Sequence, residues 1–262
     1  MPLDAATIDR HGDELFEALN SRVAIAPLRD RLPGITVADG YRIQERMVAR
    51  MVATGDSIVG KKIGVTSKAV QNMMQVFEPD FGQLTASMEH RSGAGLAMDS
   101  MIQPRIEGEI AFVLKRDLAG PGLTAVDVLA ATAHVVPCFE VVDSRITDWD
   151  IRIQDTISDN ASCGAYILGD TTVDPRDIDL SLVGMLIEKN GEPAATGVGA
   201  AVQGSPVNAV VWLVNRLGAL GVTFRAGEVI LSGSLAALVP VAVGDRIVAH
   251  FDGLGSCEVS FQ

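Results

Sequence analysis

Basic charge is scarce in this sequence. Its 262 residues carry 21 lysines and arginines against 33 aspartates and glutamates, a formal net charge of −12. Nucleic acids and anionic membranes would repel such a surface, so neither is expected as a partner. An anionic small molecule is still admitted, because a bound metal or a local lysine can reverse the sign inside a pocket. Cysteine is scarce as well. Cys138, Cys163 and Cys257 are far apart and form none of the short-spaced pairs that zinc sites and redox motifs use. An odd, sparse count suits a reducing compartment. The stretch from Met1 to Asn20 holds Asp4, Asp9, Asp13, Glu14 and Glu17 and has neither a basic n-region nor an unbroken apolar run, so no secretory signal is expected. No apolar stretch reaches bilayer length without a charge or a helix breaker. These absences predict a cytoplasmic protein. Internal repeats, low-complexity tracts and long linkers are missing too. What is present is apolar: 48% of the residues are hydrophobic, enough for the core of one main domain with an appendage.

The first sixty residues read as helical. Ile8, Leu15, Phe16 and Leu19 share one helix face, and Val37, Tyr41, Val48, Met51 and Val52 share another. Thr36 with Asp39 caps the second helix, and Gly55 is placed to end it. From Ser57 onward short β segments take over, with strands expected at Ile58–Val65 and Arg105–Leu114. Thr124 with Asp127 opens a helix expected to run toward His134, with Pro137 ending it before a strand at Cys138–Val142. Asn190-Gly191, between Leu182–Lys189 and the strand after Glu192, fits a type I′ hairpin turn. Ser205-Pro206 starts a helix whose Val210, Leu213 and Leu217 face inward. Strands are expected again at Glu228–Ser232, Asp245–Phe251 and Ser256–Phe261, the last two joined near Asp252-Gly253. Hairpins mixed with crossovers predict a mixed sheet in an α+β domain over residues 57–262, with a small helical lobe over residues 1–56.

The strongest chemical signal lies in Arg105-Ile106-Glu107-Gly108-Glu109-Ile110-Ala111-Phe112. Successive strand residues face opposite ways, so Glu107 and Glu109 project together while Ile106, Ile110 and Phe112 cover the other side. Two adjacent carboxylates repel unless solvent, protons or a cation intervenes. Glu140 sits in a second apolar strand, where a lone charge is costly. Two readings are open. The three acids converge on a hard, oxygen-loving cation, or Glu107 and Glu109 lie on a solvated face while Glu140 pairs with Arg145 or another base.

Seven segments in order resemble the 2-keto-4-pentenoate hydratase and 4-oxalocrotonate decarboxylase group of the fumarylacetoacetate hydrolase superfamily. They are Ile25–Asp30, Gly60–Thr66, Pro79–Gly82, Gln103–Ile110, Phe139–Arg145, Asp159–Gly164 and Leu231–Gly233. The resemblance implies a mixed β-sandwich roll, with Glu107, Glu109 and Glu140 as ligands of Mg²⁺ or Mn²⁺. It also singles out Lys62, which would reach inward beside a Gly60 that leaves room for ligand, and Asp80. Read alone, Lys62 would extend outward and Asp80 would be an ordinary turn residue. Ser162 and Ser232 are candidates for binding substrate oxygens, or for satisfying local backbone.

Hydrolase branches of the superfamily use a histidine base, and none of His11, His90, His134 and His250 falls in a matched motif, which disfavours hydrolysis. Pro79–Gly82 and Asn160–Gly164 resemble the hydratase versions more than the decarboxylase ones, so the resemblance implies a hydratase that takes a small 2-oxo or 2-hydroxy acid, 2-hydroxypenta-2,4-dienoate, in meta-cleavage degradation of aromatic compounds. The alternative is 4-oxalocrotonate decarboxylase, and Asp143 is one departure toward it. An alternative of another class is a non-catalytic subunit that stabilises a sibling enzyme. Family members associate, so a homo-oligomer is implied, along with association with pathway enzymes.

Overall fold

Two capped helices begin the chain, which a computed structural model describes over residues 2–262. Asp4 accepts the Thr7 amide at 2.7 Å to open α1 (Ala5–Ser21), and a short turn α2 (Leu28–Arg31) follows. Thr36 and Asp39 then form a reciprocal capping box at the start of α3 (Val37–Ala53). Ile8, Leu15 and Phe16 of α1 join Ile43, Met47 and Met51 of α3 in one apolar cluster. Val52, expected on that face, is 42% exposed. It lies past the arc that α1 covers.

The remaining helices are α4 (Lys68–Met74), α5 (Ala125–Ala131), α6 (Ile153–Ser158) and α7 (Pro206–Gly218). Early strands are β1 (Ile58–Gly64), β2 (Asp80–Thr85), β3 (Glu89–Arg91) and β4 (Ala94–Leu96), followed by β5 (Arg105–Leu114), β6 (Thr132–Val142) and β7 (Cys163–Leu168). The later ones are β8 (Gly184–Lys189), β9 (Glu192–Val198), β10 (Val229–Leu231), β11 (Val239–Pro240), β12 (Arg246–Phe251) and β13 (Gly255–Phe261). Asn190 and Gly191 both take positive φ, 57° and 85°, as the type I′ turn between β8 and β9 requires.

The helix expected to reach His134 stops at Ala131. From Thr132 to Val142 the chain is β6, so His134 and Pro137 are strand residues. Antiparallel pairing along the whole of β5, from Arg105 opposite Val142 to Leu114 opposite Thr132, outweighs the local stop signal of a proline.

Two mixed sheets result. The larger has the order β2-β1-β10-β5-β6-β7-β3, with β11 also on β5, and the smaller runs β4-β13-β12-β8-β9. Parallel pairs (β1 with β10, β3 with β7, β4 with β13) alternate with antiparallel ones, which makes this an α+β fold. One face of β5 and β6 gives Ile106, Ile110, Phe112 and Phe139 to a core shared with Ile187, Ile247, Ala249 and Val259 of the smaller sheet. Truncating Phe112 or Phe139 to alanine would cost about 3–5 kcal/mol. The other face carries Ala111, Val136 and Cys138, joined by Leu231 of the neighbouring β10, against Leu15, Phe16 and Met47 of the N-terminal helices. By strand alternation the acids of β5 and β6 belong to this second face. No helix among the described residues is long and apolar enough to cross a membrane.

Candidate metal and substrate site

Strand register brings the three glutamates together. Glu107 of β5 stands directly opposite Glu140 of β6, and Glu109 is two residues further along the same face. One carboxylate oxygen from each lies within 4.8 Å of the others. Glu109 and Glu140 are wholly buried, whereas Glu107 reaches the wall of a cleft of about 690 Å³. The solvated-face reading therefore fails. Of the pairings open to Glu140, the one with Arg145 fails, because Arg145 is itself wholly buried and bound to Asp159 at 2.5 Å, whereas pairing with another base holds, since Lys62 meets it at 3.0 Å.

Lys62 points inward and is 3% exposed. Its Nζ lies 3.0 Å from Glu140 Oε1, and it donates to the Ala161 carbonyl at 2.9 Å. The angle toward Glu140 gives an ion pair rather than a directed hydrogen bond, so both oxygens of Glu140 lack a hydrogen-bond partner. Gly60 does not make room for ligand: a Cβ there would meet the Val229 carbonyl oxygen of the paired strand at 2.1 Å. The glycine that opens space beside Lys62 is Gly64, where a Cβ would lie 2.2 Å from Asp80 Oδ1. Asp80 is the first residue of β2, opposite Gly64, and is buried rather than an ordinary turn residue.

Of the seven predicted residues, six belong to one assembly around the cleft floor: Lys62, Asp80, Glu107, Glu109, Glu140 and Ser162. Ser162 lines the cleft, and its hydroxyl is within 3.3 Å of both Asp159 Oδ2 and Thr156 Oγ. Ser232 is wholly buried off the cleft surface, and its hydroxyl has no partner. Next to it, Gly233 donates its amide to Glu109 Oε2 at 2.7 Å. At φ +107° and with Thr66 2.5 Å from a would-be Cβ, that position admits only glycine.

Burial sets the electrostatics. It pushes Asp80 up to about 6 against the pull of Lys62, and Glu107 up to about 8 with help from the charge on Glu140. Glu109 is also raised well above the carboxylate range by burial and by its two neighbours. Burial alone would lower Lys62, but the charges of Glu140, Asp80 and Glu107 outweigh it and hold the ammonium firmly protonated. Among the described residues, the buried oxygens with no hydrogen-bond partner are Asp80 Oδ1, Glu109 Oε1, both oxygens of Glu140, and Ser232 Oγ. A folded chain rarely leaves so many orphaned acceptors together. Converging carboxylate oxygens with no donors are the donor set of a hard dication, so the residues present fit a bound metal.

Backbone strain is concentrated around this cleft. Asn160, Ala161 and Ser162 have φ of 53°, 49° and 55°, Val65 has 56°, and Trp149 has 57°. Left-handed conformations cost about 1–2 kcal/mol per non-glycine residue. The turn at 160–162 is held by Arg145, which donates to the carbonyls of Asp143 and Cys163, and by Asn160, whose side chain bonds both backbone groups of Gln83 at 2.7 and 2.9 Å. The turn aims the Ala161 carbonyl at Lys62 and ties it to the strand that carries Asp80. Asp143, the departure toward the decarboxylases, accepts the amides of Ile102 and Gln103 at 2.7–3.1 Å and does not line the cleft. Sequence reasoning did not single out Arg105 and Trp149 on the cleft wall. Strand alternation places Arg105 on the face of Glu107, so a signal existed for it, whereas none existed for Trp149.

The family model described as fumarylacetoacetate (FAA) hydrolase C-terminal matches residues 50–262. The 2-hydroxyhexa-2,4-dienoate hydratase of Comamonas testosteroni is 55% identical over 260 residues, covering 98% of each chain. The 2-hydroxypent-2,4-dienoate hydratase of Pseudomonas putida is 57% identical over 221 residues, 84% of this chain and 100% of its own. Among solved structures, the 4-oxalocrotonate decarboxylase from Pseudomonas putida G7, complexed with magnesium and adipate, superposes with a TM-score of 0.96 at 35% identity, covering 99% of both chains.

Proposed function

The chain belongs to the fumarylacetoacetate hydrolase family, and from that membership and the geometry of the cleft we propose how its own residues carry out a metal-assisted hydration. The chain is a hydratase, a hydro-lyase that adds water to 2-hydroxypenta-2,4-dienoate, the enol of 2-oxopent-4-enoate, to give 4-hydroxy-2-oxopentanoate in aromatic catabolism. The observation that carries the mechanism is the set of partnerless buried oxygens on Glu109, Glu140 and Asp80 beneath a cleft that Lys62 and Glu107 share.

Glu107, Glu109 and Glu140 would hold Mg²⁺ or Mn²⁺, which supplies Lewis-acid polarisation of the substrate's 2-oxygen and a counter-charge for its carboxylate. Lys62, kept protonated by the acids around it, stabilises negative charge on the 2-oxygen, which is larger in the transition state than in the ground state. Asp80, lifted to about 6, exchanges protons near neutral pH. The 2-hydroxyl gives up its proton to solvent and the Asp80 proton goes to the far carbon of the diene, giving the 3-enone. The carboxylate left behind takes a proton from the water that adds at C4 and passes it to C3, and Asp80 is reprotonated from solvent. Ser162 is assigned to bind a substrate oxygen, a role supported by its position on the cleft wall. Ser232 is given the same role on the family resemblance alone, because its partnerless hydroxyl is buried off the cleft surface.

We read residues 1–56 as a helical lobe and 57–262 as the catalytic domain, with the two packed sheets as a mixed β-sandwich roll. The family match beginning at residue 50 supports that division. On the same family footing we propose a cytoplasmic homo-oligomer that associates with other enzymes of the pathway.

The test is a spectrophotometric assay of purified, metal-stripped protein with 2-hydroxypenta-2,4-dienoate and with 4-oxalocrotonate, each with and without Mg²⁺ or Mn²⁺, and with products identified by mass. Metal-dependent conversion of the dienoate to 4-hydroxy-2-oxopentanoate is expected. Release of CO₂ from 4-oxalocrotonate without hydration of the dienoate would overturn the assignment.

A further inference from the structure

Arg105 is two residues before Glu107 on β5, on the same strand face and roughly 6–7 Å along it. Its guanidinium stacks 4.6 Å from the centre of the Trp149 ring, and both residues line the cleft. The ring is fixed in turn, since Trp149 Nε1 donates to the Gln103 carbonyl at 3.0 Å and its backbone is held at φ 57°. A strained residue and a hydrogen bond are thus used to give one cation a flat seat.

No carboxylate of the described residues lies within ion-pairing distance of Arg105. The other arginines without such a partner, Arg10, Arg22, Arg116 and Arg152, are exposed to solvent, whereas Arg105 is half-buried in the wall of a binding cleft. A half-buried guanidinium with no carboxylate partner offers five donors in a planar fork to an anion of matching geometry.

We propose that Arg105, seated on Trp149, binds the C1 carboxylate of the substrate and so selects 2-oxo and 2-hydroxy acids over neutral ketones. The proposal rests on the hydratase reading, whose substrate carries a single carboxylate beside the 2-oxygen. The apolar remainder of the wall, including Val70, Met74 and Leu238, is then left for the uncharged tail.

Calorimetric titration of the Mg²⁺-loaded protein tests this with three unreactive probes: 2-oxopentanoate, its carboxylate-free counterpart pentane-2,3-dione, and 2-oxoadipate. Arg105→Gln is expected to weaken both oxo acids by about 10- to 100-fold, the usual value of a charge-assisted pair, and to leave the dione and Mn²⁺ affinity unchanged. Trp149→Leu, which removes only the seat, should weaken the oxo acids by about 2- to 5-fold. In turnover, KM for the dienoate should rise with kcat changing far less. Equal loss for the dione and the oxo acids, no loss for 2-oxopentanoate, or loss confined to 2-oxoadipate would each overturn the role of Arg105. Failure of the wild-type protein to bind 2-oxopentanoate would instead overturn the hydratase reading on which it stands.

Discussion

In the N-terminal helices Asp13 meets Arg46 at 2.7 Å and Arg50 at 2.9 Å, and Glu14 meets Arg31 at 2.7 Å. In the cleft, Glu107, Glu109 and Glu140 meet one another and a single ammonium. The same residue type is stabilised in one place and frustrated in the other. Arg46 holds the Asp13 carboxyl below its usual range, while burial drives those of the cleft above it. Partly exposed pairs of the first kind are each worth only about 0–1 kcal/mol, so they trim stability without deciding it. Buried like charges cost the folded state far more, and that cost is recovered when a cation binds. The comparison separates acids that help fold the chain from acids that the fold holds in readiness.

The sharpest way to break the comparison is to neutralise one acid of the triad. Glu107→Gln is expected to lower Mn²⁺ affinity by more than about 100-fold, beyond the range seen for residues that merely support ligands. The metal-free variant should nevertheless melt at a higher temperature than metal-free wild type. Titration calorimetry and thermal melts on the same preparations check both, and a variant that binds Mn²⁺ like wild type would remove Glu107 from the ligand set.

Removing the ammonium beside the triad tests the other half of the cleft. Lys62→Met should lower kcat by about 10²–10³, the size of one electrostatic contact to a developing oxyanion, with metal affinity close to wild type. Unchanged turnover would exclude Lys62 from the chemistry.

The two regions should also respond oppositely to pH. In the metal-free protein Glu107 is lifted to about 8 by burial and Glu140, and Asp80 to about 6 by burial, whereas in the unfolded chain such carboxyls ionise near 4. The folded form then keeps protons that the unfolded chain has released, so stability falls as pH rises from about 4.5 toward 8. Asp13 has the reverse sign, since its lowered value gives stability that is present above about pH 4 and fades as pH falls below it. Urea melts at pH 5 and pH 8 should show the decline in stripped protein and little of it with saturating Mg²⁺. A flat profile for the stripped protein would mean that the triad's charges are compensated within the fold.

The smallest effect is expected in the helices. Asp13→Asn should destabilise by about 0.3–1 kcal/mol and leave kcat and metal affinity alone, measured by urea melts and by assay.

Much of this contrast could be read before the fold was known, and for a physical reason. The pairing of Glu107 with Glu109 needs only the two-residue period of a strand, and the turn at Asn190-Gly191 needs only local backbone preference. What was not legible depends on long-range register. That Glu140 faces Glu107, and that Arg145 is taken by Asp159, follows from how β5, β6 and the 159–163 turn come together. The same pairing turned His134 and Pro137 from the end of a helix into strand. Gly60 was misread because close approach of the β10 backbone leaves no local signature that distinguishes it from room for a ligand.

The Ala161 carbonyl that receives Lys62 belongs to the main chain, so exchanging the side chain at position 161 does not delete it. Alanine scanning is blind to this contact. Inheritance can alter it only indirectly, through residues that bend the turn, so its geometry is stored in Arg145, Asp159 and Asn160 rather than in the atom that makes the bond. A designer wishing to retune the ammonium would edit the hinge supports, or replace the 161–162 amide linkage with an ester to weaken the acceptor while leaving every side chain in place.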